Sequence, residues 1–485
     1  MKRLKKRLKI RSNLLIRKTI ITMSITQLPP LNSVNPVTLE CVKEYQQHSE
    51  QDIEKRLTRL NVAQKEWSAT KFTERKACMH KLVAELEKIK EHAAHTMALE
   101  MGKPWAQGIR EISKCAWLSS WFADSAEAYL DAEIIPTEFQ RSYVQFEPIG
   151  NVLAIMPWNF PFWQVFRCAV PAIMAGNGVV LKHAPSTQGC AEMIEQLFLE
   201  AGFPEGLLVH IKVDNSRVKA LIAHPAVNMI TFTGSTEAGR VVAKQAAEYL
   251  KPSVLELGGS DPYLVFEDAE LTNAIEKCAQ SRWLNSGQSC IAAKRIIVLD
   301  SIYHKFMEQF LTFARQYEYI NPLTRSSSGF FVGPMARLDL RDQLAKQVSD
   351  SIALGAQCEL GGYIPDRKGA YYPVTVLSNL SPGMPAFDQE LFGPVAAIIR
   401  AKDDRHAIEL ANKTNYGLGA ALFTKSESRI TQYPKLLQVG NIAINDMVKS
   451  DPRLPFGGYN ESGWGKELGL QGIRTFTRTQ TVVQP

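Results

Sequence analysis

What this 485-residue chain lacks narrows its class before any motif is read. No run of about 18 consecutive apolar residues occurs, so no segment is expected to cross a membrane as a helix. Cysteine is sparse and scattered, at Cys41, Cys78, Cys115, Cys168, Cys190, Cys278, Cys290 and Cys358. No two stand as C-x-x-C, which argues against zinc and thioredoxin-like patterns, and so few in so long a chain make no disulfide framework. The plain reading is a reducing compartment with mostly buried thiols, and the expected location is the cytoplasm. No metal site is expected: His92 and His95 stand three apart without a third ligand and read as a solvated helix face. No internal repeat of solenoid length is present. Apolar residues at 45% and charged residues at 22% are ordinary globular values and exclude a disordered or fibrous chain.

Acid is missing from one place only. Residues 1–28 hold nine of the 56 basic residues and no Asp or Glu. The remaining 47 bases face all 49 acids, so the body of the chain is slightly acidic although the whole carries +7. A nucleic-acid partner is therefore not expected, because the basic character belongs to the first segment alone. That segment has the composition of a transit peptide or of a basic membrane-surface helix. The preferred reading is an extension upstream of the fold, residues 1–23, arising from translation at an upstream start.

The length exceeds the roughly 250–300 residues that one core holds, so at least two domains are expected. From Asp52 to about Leu130 the chain reads as helical, with Leu82, Leu86 and Ile89 at helical spacing. After Pro136 the period changes. Residues 143–147 alternate as a strand, and short apolar strands at 151–155, 178–181, 207–211 and 229–232 each precede a helix-like stretch. That alternation predicts a parallel sheet with helices on its faces. A second alternation starts near Glu256, with strands at 263–266 and 295–299 and helices near 271–284 and 303–316. Residues 475–483 look like a terminal strand that needs a partner sheet.

Four constellations carry chemistry. Cys290 ends the polar turn Asn285-Ser286-Gly287-Gln288-Ser289, a setting in which backbone N–H groups can lower a thiol pKa and make a nucleophile; a buried packing cysteine is the alternative. Glu256, before Leu257-Gly258-Gly259 at a strand end, can serve as a general base if desolvated, or be a surface carboxylate. Asn159, in Met156-Pro157-Trp158-Asn159-Phe160-Pro161, can donate its amide to a developing oxyanion, or mark a rigid turn. Gly234-Ser235 lies in a strand–turn–helix element without the G-x-G-x-x-G spacing; it can offer helix-start N–H groups to a phosphate or simply cap a helix.

Together the four resemble the aldehyde dehydrogenase superfamily, whose Pro-Trp-Asn, Gly-Ser, Glu-Leu-Gly-Gly and Gly-Gln-x-Cys elements occur here in family order. Glu390-Leu391-Phe392-Gly393-Pro394 and Pro455-Phe456-Gly457-Gly458 match as well, and the likeness runs from about Ser24. Each element alone has a bland explanation; six together do not. The resemblance implies an α/β fold with a Rossmann-type cofactor domain (24–133 and 152–255), an α/β catalytic domain (256–446) and a β oligomerisation arm (134–151 and 466–485), in a homodimer or homotetramer. It implies that Cys290 attacks the aldehyde carbon, that Asn159 and the Cys290 backbone N–H hold the oxyanion, and that hydride passes to nicotinamide, leaving a thioester. Glu256 then activates the hydrolytic water. Glu390 and Phe392 match the nicotinamide ribose site, Gly234 and Ser235 the pyrophosphate loop, and Lys182 the adenosine ribose site. Pro157, Trp158 and Leu257 are assigned to the cofactor site with them.

Cofactor and substrate preference follow from departures within the likeness. NAD-preferring members often carry a glutamate three residues after the adenosine lysine, where this chain has Pro185. Without that carboxylate, Lys182 and Ser186 are free to meet a 2′-phosphate, so NADP is expected to be preferred and NAD accepted. Arg167 lies eight residues past Asn159, as in bacterial NAD(P)-dependent succinate-semialdehyde dehydrogenases, where this arginine meets the substrate's distal carboxylate. Ser450 matches a serine that aids the contact, and Trp163 walls the pocket. The expected reaction is oxidation of succinate semialdehyde to succinate; glutarate semialdehyde or a neutral aliphatic aldehyde is the alternative. Some relatives add a second arginine six residues before the nucleophile, where this chain has Leu284, with Arg282 and Arg295 as nearby replacements. Ala292 stands where others carry a second, redox-active cysteine.

Overall fold

The computed structural model describes residues 28–326 and 329–485; the basic extension lies outside them. Three long helices, Glu50–Ser68, Phe72–Met101 and Trp105–Leu130, occupy the region read as helical. The first is closed by a capping box in which Ser49 and Asp52 satisfy each other's backbone N–H groups. The sequence reading passed over one element ahead of them, the antiparallel pair Leu31–Val34 and Cys41–Tyr45. Mostly exposed and half polar, it carries no clean period-2 pattern.

Two sheets dominate. The first runs in the order Gly463–Trp464, Ser253–Glu256, Met229–Thr233, Asn151–Met156, Gly178–His183, Leu208–His210. All its pairings are parallel except that of Gly463–Trp464. Strand Asn151–Met156 is buried along its whole length, which explains its unbroken apolar run. The chain winds outward from that strand in one direction, then returns to its other side at Met229–Thr233. The strand order therefore reverses between these two, and the crevice beyond their C-terminal ends is where open α/β sheets bind ligands.

The second sheet has seven strands, in the order Gln357–Leu360, Thr375–Ser378, Val395–Ala401, Ala293–Leu299, Asp261–Val265, Gly419–Phe423, Asn441–Ile444. A third, antiparallel sheet joins Thr477–Gln484, Arg141–Pro148 and Glu133–Ile134, in register from Thr477 opposite Pro148 to Gln484 opposite Arg141. Only Thr477–Gln484 of the segment 466–485 joins this arm. Glu467 is fully buried, and helix Gly469–Thr475 packs against Trp105–Leu130. No helix among the described residues is long and apolar enough to cross a membrane, and all eight cysteines are free.

Candidate active site

The nucleophile candidate sits on a strained turn. Beyond helix Leu271–Trp283, residues Asn285, Ser286 and Gly287 have φ of 54°, 55° and 74°. Left-handed backbone costs a non-glycine residue about 1–2 kcal/mol, so the surroundings must hold it. Asn285 donates from Nδ2 to the Asn159 carbonyl at 2.7 Å, and its backbone N–H to Gln107 Oε1 at 2.7 Å. Gln288 returns from Nε2 to the Asn285 carbonyl at 3.1 Å and accepts from the Ala336 N–H at 2.9 Å. A side chain on Gly287 would strike the Gly393 carbonyl. The asparagine loop and the cysteine loop are thus tied directly: Asn159 also donates from Nδ2 to the Gln288 carbonyl at 3.1 Å.

Cys290 is half-buried, and burial pushes its thiol up to about 11, against the pull of Arg167 and Lys294. This corrects the expectation of a thiol activated by nearby N–H groups. The site is dry enough that desolvation outweighs them, so the resting sulfur is protonated at neutral pH.

Glu256 ends strand Ser253–Glu256 fully inside the protein, and neither carboxylate oxygen has a hydrogen-bond partner among the described residues. Desolvation raises its pKa well above the usual range; the positive charge of Arg167 opposes this and the negative charge of Glu467 adds to it. Gly457 passes so close that a Cβ there would lie 2.9 Å from Glu256 Oε1. Arg167 is also buried. It forms an ion pair from Nε with Glu467, lies over the Phe456 ring at 4.8 Å and reaches Thr233 Oγ1 at 3.5 Å. Glu467, missed in the sequence, accepts from Thr231 Oγ1 at 3.2 Å.

Cys290 lies where two cavities meet. One, of about 420 Å³, is lined by Pro157, Trp158, Asn159, Gly234, Ser235, Leu257, Glu390 and Phe392, which brings most of the expected cofactor residues together. Ser235 caps helix Thr236–Glu248 by accepting from the Ala238 N–H at 3.3 Å, and the positive end of that helix opens on the cleft. Trp158 meets Phe392 edge to face at 5.8 Å. Glu390 is held by Lys294 at 2.9 Å and by the Gly259 N–H at 3.1 Å. Lys294 also donates to the Cys290 carbonyl at 2.5 Å, which links the cofactor wall to the nucleophile. Its spacing of four residues from Cys290 was the only sequence signal for it. A flat aromatic wall, an anchored carboxylate and a helix start suit a dinucleotide. Lys182 and Ser186 stand outside this cleft. Lys182 is buried, donates to Asn215 Oδ1 at 2.6 Å, and is brought down to about 8 by burial. The Ser186 carbonyl accepts from Ser33 Oγ at 2.9 Å.

The other cavity, of about 270 Å³, is walled by Trp163, Phe160, Phe456 and Met447. Four basic residues line it, Arg110, Lys114, Arg167 and Lys449, against one acid, Glu111. That acid is already committed: it pairs with buried Lys103 and accepts from the backbone N–H of Phe162 and Trp163 at 2.9 and 3.0 Å. Glu111 thereby braces the loop carrying Asn159, a role with no sequence signal. Ser450 lines the same cavity. Arg282 and Arg295 do not. Both are fully buried: Arg282 donates from Nη2 to the carbonyls of Gly287, Leu391 and Gly393, and Arg295 donates to those of Ser260, Leu410 and Ala411. Neither replaces the arginine absent at Leu284.

A half-buried thiol where two cavities meet, with the amide of Asn159 lining one of them and the desolvated carboxylate of Glu256 near enough to act on the sulfur, fits an oxidoreductase that captures a carbonyl on cysteine. Residues 25–482 match the aldehyde dehydrogenase family, and the chain belongs to that family. It is 42% identical over 460 residues to the succinate semialdehyde dehydrogenase [NAD(P)+] Sad of Escherichia coli strain K12, spanning 95% of this chain and 99% of that one. It is 38% identical over 456 residues to succinate-semialdehyde dehydrogenase [NADP(+)] 1 of Mycobacterium bovis, spanning 93% and 99%. The solved structure of succinic semialdehyde dehydrogenase from Streptococcus pyogenes with NADP+ superimposes with a TM-score of 0.91 at 30% identity, covering 94% of this chain and all of that one.

Proposed function

We propose that this aldehyde dehydrogenase oxidises succinate semialdehyde to succinate with NADP, and accepts NAD. The observation that carries the substrate is the charge of the inner cavity: its one acid, Glu111, is paired with Lys103, and of its four bases Arg167 and Lys449 are paired with Glu467 and Asp446 while Arg110 and Lys114 have no ion pair among the described residues. A small aldehyde ending in a carboxylate matches both the volume and the charge. The named activities of the relatives and the NADP+ of the streptococcal structure point the same way.

In this reading the Cys290 thiol gives its proton to Glu256, which passes it on to solvent, as the sulfur adds to the aldehyde carbon, and Asn159 Nδ2 with the Cys290 N–H holds the oxygen. The chemistry supplied by a bound dinucleotide in the cleft is two-electron oxidation of that adduct to a thioester. Glu390, Phe392 and Trp158 would hold its nicotinamide half, and Gly234 and Ser235 its pyrophosphate. Glu256 then takes a proton from water as the water adds to the thioester, and succinate leaves as Cys290 is freed. Burial raises the Glu256 pKa and so strengthens it as a base, which suits that transfer. Lys182 and Ser186 serve the adenosine end, where Pro185 offers no carboxylate to repel a 2′-phosphate. The edges of the arm sheet, with Ile134 and Val483 exposed, suit pairing with a second copy in a homodimer or homotetramer. Eight free thiols suit a cytoplasmic setting.

Steady-state rates with succinate semialdehyde and with butanal, each with NADP and with NAD, test the reading. A charge-assisted contact of about 1.5–3 kcal/mol gives roughly ten- to a hundredfold higher kcat/KM for the carboxylated substrate. Equal values overturn the substrate. Higher kcat/KM with NAD than with NADP overturns the cofactor order, whereas the expected order should reverse in P185E.

A further inference from the structure

We infer that His183 is a positioning residue that ties the adenosine end of the cofactor site to the loop carrying Asn159. The inference rests on the reading above that Lys182 and Ser186 serve the adenosine end, and it names the side chain that holds the two ends in one register.

His183 stands between the two ends in the sheet. It closes strand Gly178–His183, directly after Lys182 and ahead of the single turn Pro185–Thr187. Opposite it in the parallel register is Met156, the last residue of the strand that leads into Pro157-Trp158-Asn159. Its ring is fully buried, and its two nitrogens serve opposite sides. Nδ1 accepts from the Ala184 N–H at 2.8 Å, and the Thr187 hydroxyl lies 2.8 Å from the same nitrogen. A ring nitrogen that accepts a backbone N–H carries no proton of its own, so the proton of the neutral ring sits on Nε2. Nε2 donates to the Pro161 carbonyl at 2.9 Å. That carbonyl lies two residues past Asn159, where helix Trp163–Met174 begins. On either side of it, the carbonyls of Phe160 and Phe162 accept from the N–H groups of Gln164 and Phe166 at 3.0 and 2.9 Å. The Pro161 carbonyl between them is taken by His183.

Burial brings the ring down to about 4; the Pro161 carbonyl opposes this and the charge of Lys182 adds to it. One neutral tautomer therefore holds both contacts at neutral pH. One nitrogen grips the turn that carries Ser186 and the other grips the loop that carries Asn159. Asn159 in turn is bonded to the cysteine turn through Gln288 and Asn285. The adenosine end, the oxyanion donor and the nucleophile are thus joined by a short chain of buried hydrogen bonds, and His183 is the link at which it can be cut on either side.

The test compares H183N, H183Q and K182M. An asparagine amide oxygen falls near the place of Nδ1 and a glutamine amide nitrogen near that of Nε2, so each variant keeps one side of the link and cuts the other. The Kd for NADP is read without aldehyde, by quenching of tryptophan fluorescence. The kcat is read with succinate semialdehyde and with butanal at saturating NADP. H183Q, which keeps the Pro161 contact and frees the turn, should raise the Kd roughly three- to tenfold and change kcat little. H183N, which keeps the turn and frees Pro161, should lower kcat roughly ten- to a hundredfold and change the Kd little. A ring that merely fills space would give lower melting temperatures in both variants without this split. The inference is overturned if both variants move Kd and kcat in the same proportion, if the split is reversed, or if neither quantity moves. K182M should weaken NADP binding. An unchanged Kd in K182M would overturn the adenosine assignment and the inference with it, whereas a weakened K182M beside unsplit His183 variants would overturn the inference alone.

Discussion

The buried Arg167–Glu467 pair allows a quantitative test of how this site is built. Both side chains are essentially removed from solvent, at 2% and 0% exposure. Replacing Arg167 with Met strands Glu467 and Glu256 close together in a dry interior, while replacing Glu467 with Gln strands the guanidinium. Breaking one side of a buried pair costs about 3–5 kcal/mol, whereas removing both charges together is often close to neutral. The single variants R167M and E467Q should therefore lose stability on that scale, and the double variant should recover most of it. Thermal unfolding followed by circular dichroism at fixed protein concentration reads this. At about 2–4 °C per kcal/mol for a large domain, each single variant should melt on the order of 10 °C lower. The coupling energy from the double-mutant cycle should exceed about 2 kcal/mol. The stranded Glu467 in R167M can escape part of the cost by taking up a proton, so R167M should be the milder of the two and should regain stability as pH falls. Additive losses in the double variant would refute the argument, since they would mean that the two charges do not compensate each other in the folded protein.

Two further outcomes follow from the same geometry. Because the Cys290 thiol is pushed up to about 11, its alkylation by iodoacetamide in the free enzyme should accelerate steadily from pH 7 to pH 10; a rate that levels off by pH 8 would contradict a desolvated, protonated resting thiol. N159A should cost roughly 10²–10³ in kcat, the usual effect of losing one oxyanion donor, and it should also loosen the cysteine turn that Asn159 braces through Gln288 and Asn285. Unchanged kcat in N159A would remove it from the oxyanion site.

Much of the site was legible in the sequence because its parts are local. Met156 to Asn159, Thr233 to Ser235 and Glu256 to Leu257 are each a strand followed at once by a turn. All three strands lie in one parallel sheet with their C-terminal ends together. Once the alternation of strands and helices is read, the topology of such a sheet collects the turns at one edge, whatever the rest of the chain does. The same holds for the cysteine turn, whose polar, Gly-containing composition suits left-handed backbone.

Charge partnership was not legible, because it depends on which distant segments meet. Nothing near Arg167 in the sequence shows that Glu467, 300 positions later, is folded against it. Lys114 reads as one more lysine on a polar helix until Ser450, 336 positions away, accepts its hydrogen bond. Burial decides the rest: it holds Cys290 protonated at rest and brings Lys114 to about 8. The sequence by itself determined the family, the two successive α/β alternations and the turns that carry the candidate reacting groups. The tertiary structure alone decided which charges pair and how dry each of them is, since desolvation and counter-charge are properties of the assembled cavity and not of any stretch of chain.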